Sequence, residues 1–492
     1  MKPTDEQMAA VAMAGKLQSF KVMAYAGAGK TSTLKLIGTE LSQYRGLYLA
    51  FNKAIASEAA AKFGSNVQCM TFHSLAYRSS PKWLTAKLSN KRIFPEQLAM
   101  NWDLEGYELP TDPAKRKTGN DATRKLSARN QAVAIENAVA NFASSTEQEP
   151  TAQHVWAALP DWIEKNTRNE LAKVLEPYAK KHWRNLIDRN DQSKIGHDVY
   201  LKYWALNDPY VSADFILFDE AQDADPIILG VLEQQRHAQI IYVGDAHQQI
   251  YSWRGAVNAM QSLQLPTVKL SQSFRFGDAI AEQANLIICN LLGETVPLRG
   301  LSSIADSVAS SEIDDPDAIL CRTNAKAFAT MVEQLSMGKT ASLEANTAEI
   351  ARFIDQSIRL QAGLKADHPE LEAFQDWAEV TEYCKEYPRA EIAPLVNLIN
   401  KNDPRQLLHV AKNSGHRDDA EVIVCTAHKS KGLEFGRVQL ADDYFYKAEG
   451  TFLPVIDEDE SRLMYVAVTR AKHVLDVTKH GKFFELLGAK LH

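Results

Sequence analysis

The strongest constraint on the fold is a series of short apolar runs, each followed by a polar or glycine-rich turn. β-Branched and aromatic residues dominate the runs, and segments with a helical pattern lie between them. Alternation of this kind predicts buried parallel strands in α/β layers. The runs cover residues 22–25, 47–51, 67–70, 215–218, 240–243, 268–270, 318–321, 422–425 and 438–440. They form two groups, before and after about residue 267, so we predict two α/β domains.

Composition narrows the class of protein further. The 492 residues are 45% hydrophobic and 24% charged, which favours large cores over disorder. A net charge of -7 argues against a uniformly basic surface but is compatible with a local basic stripe. The 5 cysteines show no metal-binding spacing and suit a reducing compartment. Because no signal core or bilayer-long apolar run is found, we expect no membrane partner and a cytoplasmic protein, nucleoid-associated in a bacterium, with a nuclear location left open.

Two segments with a helical pattern interrupt the predicted strands. We interpret residues 81–189 and 335–418 as helical insertions, one in each α/β domain. The first α/β domain then covers 1–80 plus 190–267, and the second covers 268–334 plus 419–492. The first insertion carries basic patches, which either flank a nucleic acid or form an ordinary solvated helix face.

A phosphate-binding loop follows the first predicted strand. Residues 24–31 read AYAGAGKT and precede an apolar helix, so they form a P-loop with alanine at the usual first glycine position. Glycines let backbone N–H groups turn toward phosphate oxygens, and the helix N-terminus adds positive partial charge. Lys30 can reach the β- and γ-phosphates of ATP, and the Thr31 hydroxyl can bind Mg²⁺. The predicted nucleotide contacts in this segment are Gly27, Ala28, Gly29, Lys30, Thr31 and Ser32. A glycine–lysine turn without a ligand is the alternative, and the strand–loop–helix context argues against it.

The strand at 215–218 supplies the acids that a P-loop enzyme needs. It ends in Asp219 and Glu220, whose side chains project at the carboxyl edge of the sheet, where ligands bind in open α/β sheets. We predict that Asp219 holds Mg²⁺ and that Glu220 orients or deprotonates water. The acid pair alone is a weak signal, but together with the P-loop it is a strong one.

The sequence also resembles the superfamily 1 helicases of the UvrD/Rep/PcrA type. Details such as LAFNK at 49–53 and GHDVY at 196–200 resemble the helicase core of the F-box DNA helicases, here expected without an F-box. The resemblance covers nearly the whole chain through motifs in the family's order. It implies an α/β fold with two RecA-like P-loop NTPase domains, 1A and 2A, with parallel sheets, each carrying a helical insertion, 1B and 2B.

In the first domain, the resemblance assigns further nucleotide contacts. TDEQ at 4–7 resembles the Q motif, in which Gln7 would read the adenine edge. GDAHQQIYSWRG at 244–255 resembles the third motif, in which Gln248 would sit beside the γ-phosphate. The family usually has aspartate where this chain has His247.

In the second domain, three more motifs complete the set. The fourth, fifth and sixth motifs of the family resemble QSFR at 272–275, TAHKSKGLEF at 426–435 and MYVAVTRAK at 464–472. The resemblance implies that Phe274 stacks on adenine, while Arg275 contacts the γ-phosphate. It further implies that Glu434 contacts the ribose and that Arg470 is an arginine finger.

Other residues in these motifs are expected to contact single-stranded DNA. The resemblance assigns this role to Phe51, Asn52, Thr71, His73, Tyr251, Trp253, Arg254, Thr426 and His428. Tyr251 and Trp253 would stack on bases. A core position is the alternative for Trp253, and its polar neighbours argue against it.

Together the motifs predict an ATP-driven motor. The predicted catalytic residues are Lys30, Glu220, Gln248, Arg275 and Arg470, with lysine and acids from one domain and arginines from the other, so hydrolysis would require closure. The resemblance implies 3′–5′ movement by one nucleotide per ATP on single-stranded DNA or at single-strand/duplex junctions, in repair, recombination or replication. Two alternatives remain open: a translocase that removes proteins from single-stranded DNA, and a DNA-binding ATP switch with little unwinding. An RNA track also remains open, and whether the chain has a protein partner is left unknown.

Overall fold

The computed structural model describes residues 2–113, 122–207, 209–252, 255, 257–372, 374–386, 391–414, 419–448 and 453–488. The chain divides into two units. Unit 1 contains Met1–Met23, Lys30–Ala246 and Tyr251–Lys269, and unit 2 contains Ala24–Gly29, His247–Ile250 and Leu270–His492. In the described part of the chain, no helix has the length and apolar character needed to cross a membrane.

Unit 1 is organised around a parallel sheet. The first eight strands of the chain are β1 (Phe20–Ala24), β2 (Gly46–Ala50), β3 (Val67–Thr71), β4 (Tyr107–Pro110), β5 (Thr123–Leu126), β6 (Phe215–Phe218), β7 (Gln239–Gly244) and β8 (Thr267–Leu270). Six of them form one sheet in the order β3-β2-β6-β7-β1-β8, while β4 and β5 form a separate antiparallel pair. The neighbours from β3 to β1 are parallel. Every residue of β6 and β7 is buried, as expected for central strands covered on both faces.

The helices of unit 1 lie on this sheet and in the long segment between β3 and β6. They are α1 (Asp5–Ala14), α2 (Lys30–Glu40), α3 (Lys53–Ala60), α4 (Phe72–Ser79), α5 (Lys82–Ala86), α6 (Pro95–Asn101), α7 (Ala128–Ser144), α8 (Ala152–Ala158), α9 (Lys165–Leu186), α10 (His197–Ala205), α11 (Pro226–Gln234) and α12 (Ala259–Ser262). One apolar core joins sheet residues such as Leu49 and Ile216 to helix residues such as Phe142 and Trp183.

Three buried lysines close helix ends in unit 1. The amine of Lys87 donates to three backbone oxygens at the end of α9, at 2.8–3.3 Å. Lys202 donates at 2.8 and 2.7 Å to two carbonyls just beyond α7, and Lys21 donates at 2.8 and 2.6 Å to two carbonyls around the end of α12. The last carbonyls of a helix have no hydrogen-bond donor within the helix and carry negative partial charge. A buried lysine amine supplies both the missing donors and a compensating positive charge.

Unit 2 contains a second parallel sheet. The six strands of this sheet are β9 (Ser307–Val308), β10 (Ala318–Cys321), β11 (Ala341–Glu344), β12 (Val422–Thr426), β13 (Phe435–Leu440) and β14 (Ala471–Asp476). They are ordered β11-β12-β10-β13-β14-β9, and every neighbouring pair is parallel. The helices are α13 (Asp278–Asn290), α14 (Asn324–Ser336), α15 (Thr347–Gln361), α16 (Trp377–Glu386), α17 (Ala393–Lys401), α18 (Pro404–Asn413), α19 (Glu458–Val468) and α20 (Gly481–Gly488).

The predicted fold class is confirmed: each unit is an α/β structure with a parallel sheet and additional helices. Within the two predicted helical insertions, two details differ from the sequence prediction. β11 lies inside the segment 335–418, expected to be helical, and pairs with β12. The β4–β5 hairpin lies inside 81–189, also expected to be helical. β11 is an edge strand and β4 and β5 are largely exposed, so these strands lack the continuous apolar pattern of a central strand.

Candidate functional site

A lysine and two acids meet at the carboxyl end of the unit 1 sheet. Lys30 opens α2, and its Nζ lies 2.5 Å from Oε1 of Glu220. Asp219 follows β6 directly and accepts a 2.7 Å hydrogen bond from the Tyr48 hydroxyl on neighbouring β2. Glu220 has left-handed backbone geometry, with φ of 54°, which is uncommon for a residue with a side chain and recurs at functional sites. The structure therefore brings together three of the predicted site residues, Lys30, Asp219 and Glu220, and their catalytic roles stay predictions.

Burial and charge act on these groups in opposite directions. Burial lowers the pKa of Lys30, but the carboxylates of Glu220 and Asp219 outweigh it, and the pKa is raised overall. Burial and the charge of Glu220 raise the pKa of Asp219 despite the nearby lysine. The site thus holds the Lys30 amine beside two closely spaced acids. Because the pKa of Asp219 is raised, a second cation would stabilise the charged form of this residue.

These residues fit a magnesium ion that is shared with a nucleotide. Mg²⁺ is usually held by one or two carboxylates together with water and substrate phosphates. Asp219 is buried and supplies one such carboxylate, while Thr31 is exposed in the first turn of α2. Among the residues that the structure describes, no group of three or more histidine, cysteine or acidic side chains is arranged to hold a metal. One buried carboxylate and one hydroxyl suit an Mg²⁺ ion whose other ligands are water and substrate phosphates.

Two residues that support this cluster were not predicted. Gln222 donates at 2.5 Å to Glu220 and accepts a 3.1 Å hydrogen bond from the Asp245 backbone. A side chain at Gly244 would place its Cβ 2.2 Å from the Gln222 amide oxygen, so the close approach requires glycine. Tyr48 is the other residue, and its only sequence signal is one hydroxyl inside the apolar run 47–51.

Gln7 has a local structural contact in this structure. It is buried, and its amide oxygen accepts from the Thr4 backbone while its amide nitrogen donates to the Thr33 hydroxyl at 3.1 Å. The first contact is half of a capping box that begins α1, and the second joins α1 to α2. An amide has two N–H donors and two acceptor sites, so these contacts leave capacity for an adenine edge, and that role stays a prediction.

The predicted DNA-contacting residues of unit 1 gather at the same sheet edge. Ala50 and Thr71 are paired where β2 and β3 end. Asn52 caps α3 by accepting from the backbone of the third residue along, and Thr71 caps α4 in the same way. Two helix N-termini therefore open beside each other, an arrangement that suits phosphate groups.

Aromatic and imidazole rings flank these caps. Phe51 is 53% exposed, and its ring centroid lies 6.3 Å from that of Tyr251 with the planes 9° apart. His73 Nε2 lies 3.2 Å from the Asp198 carboxylate on α10. The two remaining predicted contacts of this group, Trp253 and Arg254, lie outside the described residues.

In unit 2, the first part of the phosphate loop contacts the fourth motif. Gly27 has φ of 72°, and an added Cβ would lie 2.5 Å from the Ser273 hydroxyl and 2.7 Å from Cβ of Arg275. The carbonyl of Gly27 accepts a 2.8 Å hydrogen bond from the Phe274 backbone. Only glycine satisfies both the dihedral angle and the space at position 27. Ala28, also predicted to contact the nucleotide, is buried, while Ser32 in unit 1 is exposed on α2.

The predicted arginines of unit 2 contact protein oxygens. Arg275 donates at 2.8 Å to Glu434 and at 2.9 Å to the carbonyl of Thr469. Arg470 is 1% exposed and donates at 2.9 Å to the carbonyl of Val466 on α19. The structure thus brings Arg275 and Glu434 together, and the nucleotide roles of Arg275, Glu434 and Arg470 stay predictions.

Other predicted residues of unit 2 lie in turns. Thr426 ends β12, is buried, and accepts a 3.3 Å hydrogen bond from the Lys429 backbone; His428 lies half-buried in the turn that follows. The amine of Lys431 donates at 2.7 Å to the backbone oxygen of Gln248, which joins the third and fifth motifs.

Comparison with known proteins supplies an independent view of these motifs. Residues 3–264 match the UvrD/REP helicase N-terminal domain, and residues 421–477 match the UvrD-like helicase C-terminal domain. The chain is 30% identical over 494 residues to F-box DNA helicase protein 1 of Schizosaccharomyces pombe, covering 92% of this chain and 54% of that protein. It is also 30% identical over 502 residues to F-box DNA helicase 1 of Gallus gallus, covering 93% of this chain and 47% of that protein. The chain thus spans about half the length of these curated relatives.

Proposed function

Because the chain belongs to the UvrD/REP helicase family, with residues 3–264 matching its N-terminal domain, we propose that it hydrolyses ATP to move along DNA. Strand separation of duplex DNA is the expected outcome of this movement. The observation that carries the proposal is the partly buried contact between Lys30, at the end of the phosphate loop, and Glu220 beside Asp219. Lysine, metal-binding acid and catalytic base are the parts that phosphoryl transfer from ATP requires.

The Lys30–Glu220 contact suggests how substrate binding activates the base. In the structure the amine is engaged by Glu220 at 2.5 Å. The phosphates of ATP compete for this amine, and their binding releases the carboxylate to accept a proton from the attacking water. Gln222 still holds one oxygen of Glu220 and limits the directions it can take. Asp219 and Thr31 would hold Mg²⁺, which neutralises negative charge on the phosphates.

We propose that Arg275 and Arg470 stabilise the negative charge that spreads over the γ-phosphoryl oxygens. A guanidinium in this position is worth about 10³–10⁵ in rate. Support for Arg275 comes from unit 2 itself, where it lies against the phosphate-loop backbone at Gly27. Gln248 as γ-phosphate sensor, Phe274 on the adenine and Glu434 on the ribose belong to the same proposal.

We propose that the carboxyl edge of the unit 1 sheet binds single-stranded DNA. Capped helix N-termini at Asn52 and Thr71 suit the phosphates, and the exposed rings of Phe51 and Tyr251 suit the bases. Both relatives named above are DNA helicases by name, which supports DNA as the track. Movement in the 3′–5′ direction, action at single-strand/duplex junctions, and a role in repair, recombination or replication are the finer parts of this proposal.

One experiment tests the activity directly. The ATPase rate is measured with and without single-stranded DNA, together with unwinding of 3′-tailed and 5′-tailed duplexes. We expect stimulation by DNA and unwinding of the 3′-tailed duplex. Stimulation without unwinding would indicate a translocase that removes proteins from DNA, and a slow rate that DNA does not change would indicate a switch.

The matched variants are Lys30→Ala and Lys35→Ala. Both lysines lie on α2, but Lys35 is exposed and lies five residues after Lys30, on a different side of the helix. Lys30→Ala should abolish turnover and leave DNA binding intact, while Lys35→Ala should behave as the wild type. Retained turnover in Lys30→Ala contradicts the assignment of the phosphate site.

A further inference from the structure

A buried histidine–glutamate pair lies in unit 2 beside the phosphate loop. Nε2 of His247 is 3.2 Å from Oε2 of Glu294, and the side chains are only 6% and 7% exposed. Burying two ionisable groups is costly, and apolar residues of similar volume often give equal or greater stability. A contribution to stability therefore does not by itself explain why the pair is buried. A role in holding neighbouring residues in a fixed arrangement does explain it.

The His247 ring contacts tyrosines from two nucleotide motifs. It is tilted against Tyr25 with centroids 6.1 Å apart, and it lies edge-on to Tyr465 at 6.0 Å. The Tyr465 hydroxyl accepts a 3.2 Å hydrogen bond from the backbone N–H of Ala26. The histidine of the third motif thus contacts both the start of the phosphate loop and the sixth motif.

Glu294 closes a ring of contacts around this point. Its second oxygen accepts from the backbone N–H groups of Thr295 and Val296, at 2.8 and 3.1 Å. The carbonyl of Val296 in turn accepts a 2.5 Å hydrogen bond from the Tyr25 hydroxyl. The path from Glu294 through Val296 and Tyr25 to His247 and back to Glu294 leaves each member little freedom to move.

The residue after His247 is the proposed γ-phosphate sensor, Gln248. A displacement of His247 moves Gln248 through a single peptide bond, and a 1 Å misplacement in a catalytic site can cost about 10²-fold in rate. The backbone oxygen of Gln248 is also held by Lys431. Its position is therefore set from both sides, by His247 along the chain and by Lys431 in space.

From this ring of contacts we propose that His247 and Glu294 are positioning residues that fix the phosphate loop and Gln248 in the arrangement required for ATP hydrolysis. The inference rests on the proposed ATPase activity and deepens it. The acid partner of His247 comes from the segment after α13. The pair acts on the rate of the chemical step rather than on the affinity for nucleotide.

The test compares His247→Gln, Glu294→Gln and the double variant in the full chain. We expect kcat to fall at least 10-fold in each single variant, with the Kd for a non-hydrolysable ATP analogue changed less than about 3-fold. The kcat of the double variant should be no lower than that of the slower single variant, because both substitutions break the same contact. Equal loss of affinity and rate, or losses that multiply in the double variant, would overturn the proposal.

Two further variants separate positioning from folding. His480→Gln replaces another buried histidine of unit 2, one that contacts Ala441 and Tyr446 instead of the phosphate loop, and should leave kcat unchanged. His247→Asp alone places a second carboxylate beside that of Glu294, so it should be slower than His247→Asp combined with Glu294→Gln. If His247→Asp combined with Glu294→Gln folds but has a kcat no higher than that of His247→Asp alone, the proposal is also overturned.

The outcomes distinguish this inference from the proposed function. A wild-type protein without ATPase activity refutes the function itself. An active wild type with unaffected, folded His247→Gln and Glu294→Gln variants refutes only the positioning role.

Discussion

Removal of the Phe51 ring tests the proposed DNA surface most directly. The ring is 53% exposed and nearly parallel to Tyr251, so its face is available to a base and little core packing is lost on truncation. Stacking of a base on an aromatic side chain is worth about 1–3 kcal/mol. Phe51→Ala should therefore raise the Kd for single-stranded DNA by about 5- to 150-fold.

The pair also predicts how two changes combine. Because the Phe51 and Tyr251 centroids are 6.3 Å apart, a base that stacks on one ring lies within reach of the other. The losses of affinity in Phe51→Ala and Tyr251→Ala are then not independent. The increase in Kd for the double variant should be smaller than the product of the two single increases.

Fluorescence anisotropy with a labelled oligonucleotide, repeated over a range of salt concentrations, measures both effects. Stacking releases no counterions, so the slope of log Kd against log salt should be unchanged in Phe51→Ala. Tyr210→Ala is the matched control, because Tyr210 is a 66% exposed aromatic residue stacked on His237, before the start of β6 at the opposite sheet end. If Phe51→Ala and Tyr210→Ala bind DNA equally well, the assignment of this surface is wrong.

Three further predictions concern catalysis and stability. Glu220→Gln should lower ATP turnover about 10²–10⁴-fold while nucleotide binding persists, since an amide cannot take the proton; loss of binding in the same titration would contradict this. Lys87→Met should reduce the free energy of unfolding by about 2–4 kcal/mol because charged donors to three carbonyls are lost, whereas Lys82→Met on the exposed side of α5 should change it little in the same urea titration. Burial lowers the pKa of His182 to about 4, so between pH 6.5 and 4 the unfolded chain takes up a proton that the folded chain refuses. Stability should therefore fall as the pH falls, by roughly 1.5 kcal/mol between pH 6.5 and 5, and less in His182→Gln; equal pH dependence of the two proteins would contradict the reasoning.

Continuous apolar runs predicted the central strands well. The runs at 215–218 and 318–321 coincide with β6 and β10, and the other seven each overlap a strand. The sequence did not reveal β9, β11, β14 and the β4–β5 pair, because these short or partly exposed strands carry mixed polar residues. Their position is set by pairing with a neighbour rather than by their own pattern.

The candidate site was predictable where chemistry and spacing coincide along the chain. Lys30 and the acids after β6 could be found because a strand precedes each of them. Tyr48 and Glu294 could not, because their contacts with Asp219 and His247 join residues far apart in sequence that only the fold brings together. The His73 contact with Asp198 is of the same kind.

The lysines that close helix ends in unit 1 also bear on how opening of this unit can be observed. The amines of Lys21, Lys87 and Lys202 are shielded in the folded chain, whereas most lysines are accessible to acylating reagents. Each one becomes reactive only when the helix end that it closes comes apart. Mass spectrometry after brief acylation would therefore report, site by site, which helix end of unit 1 separates first.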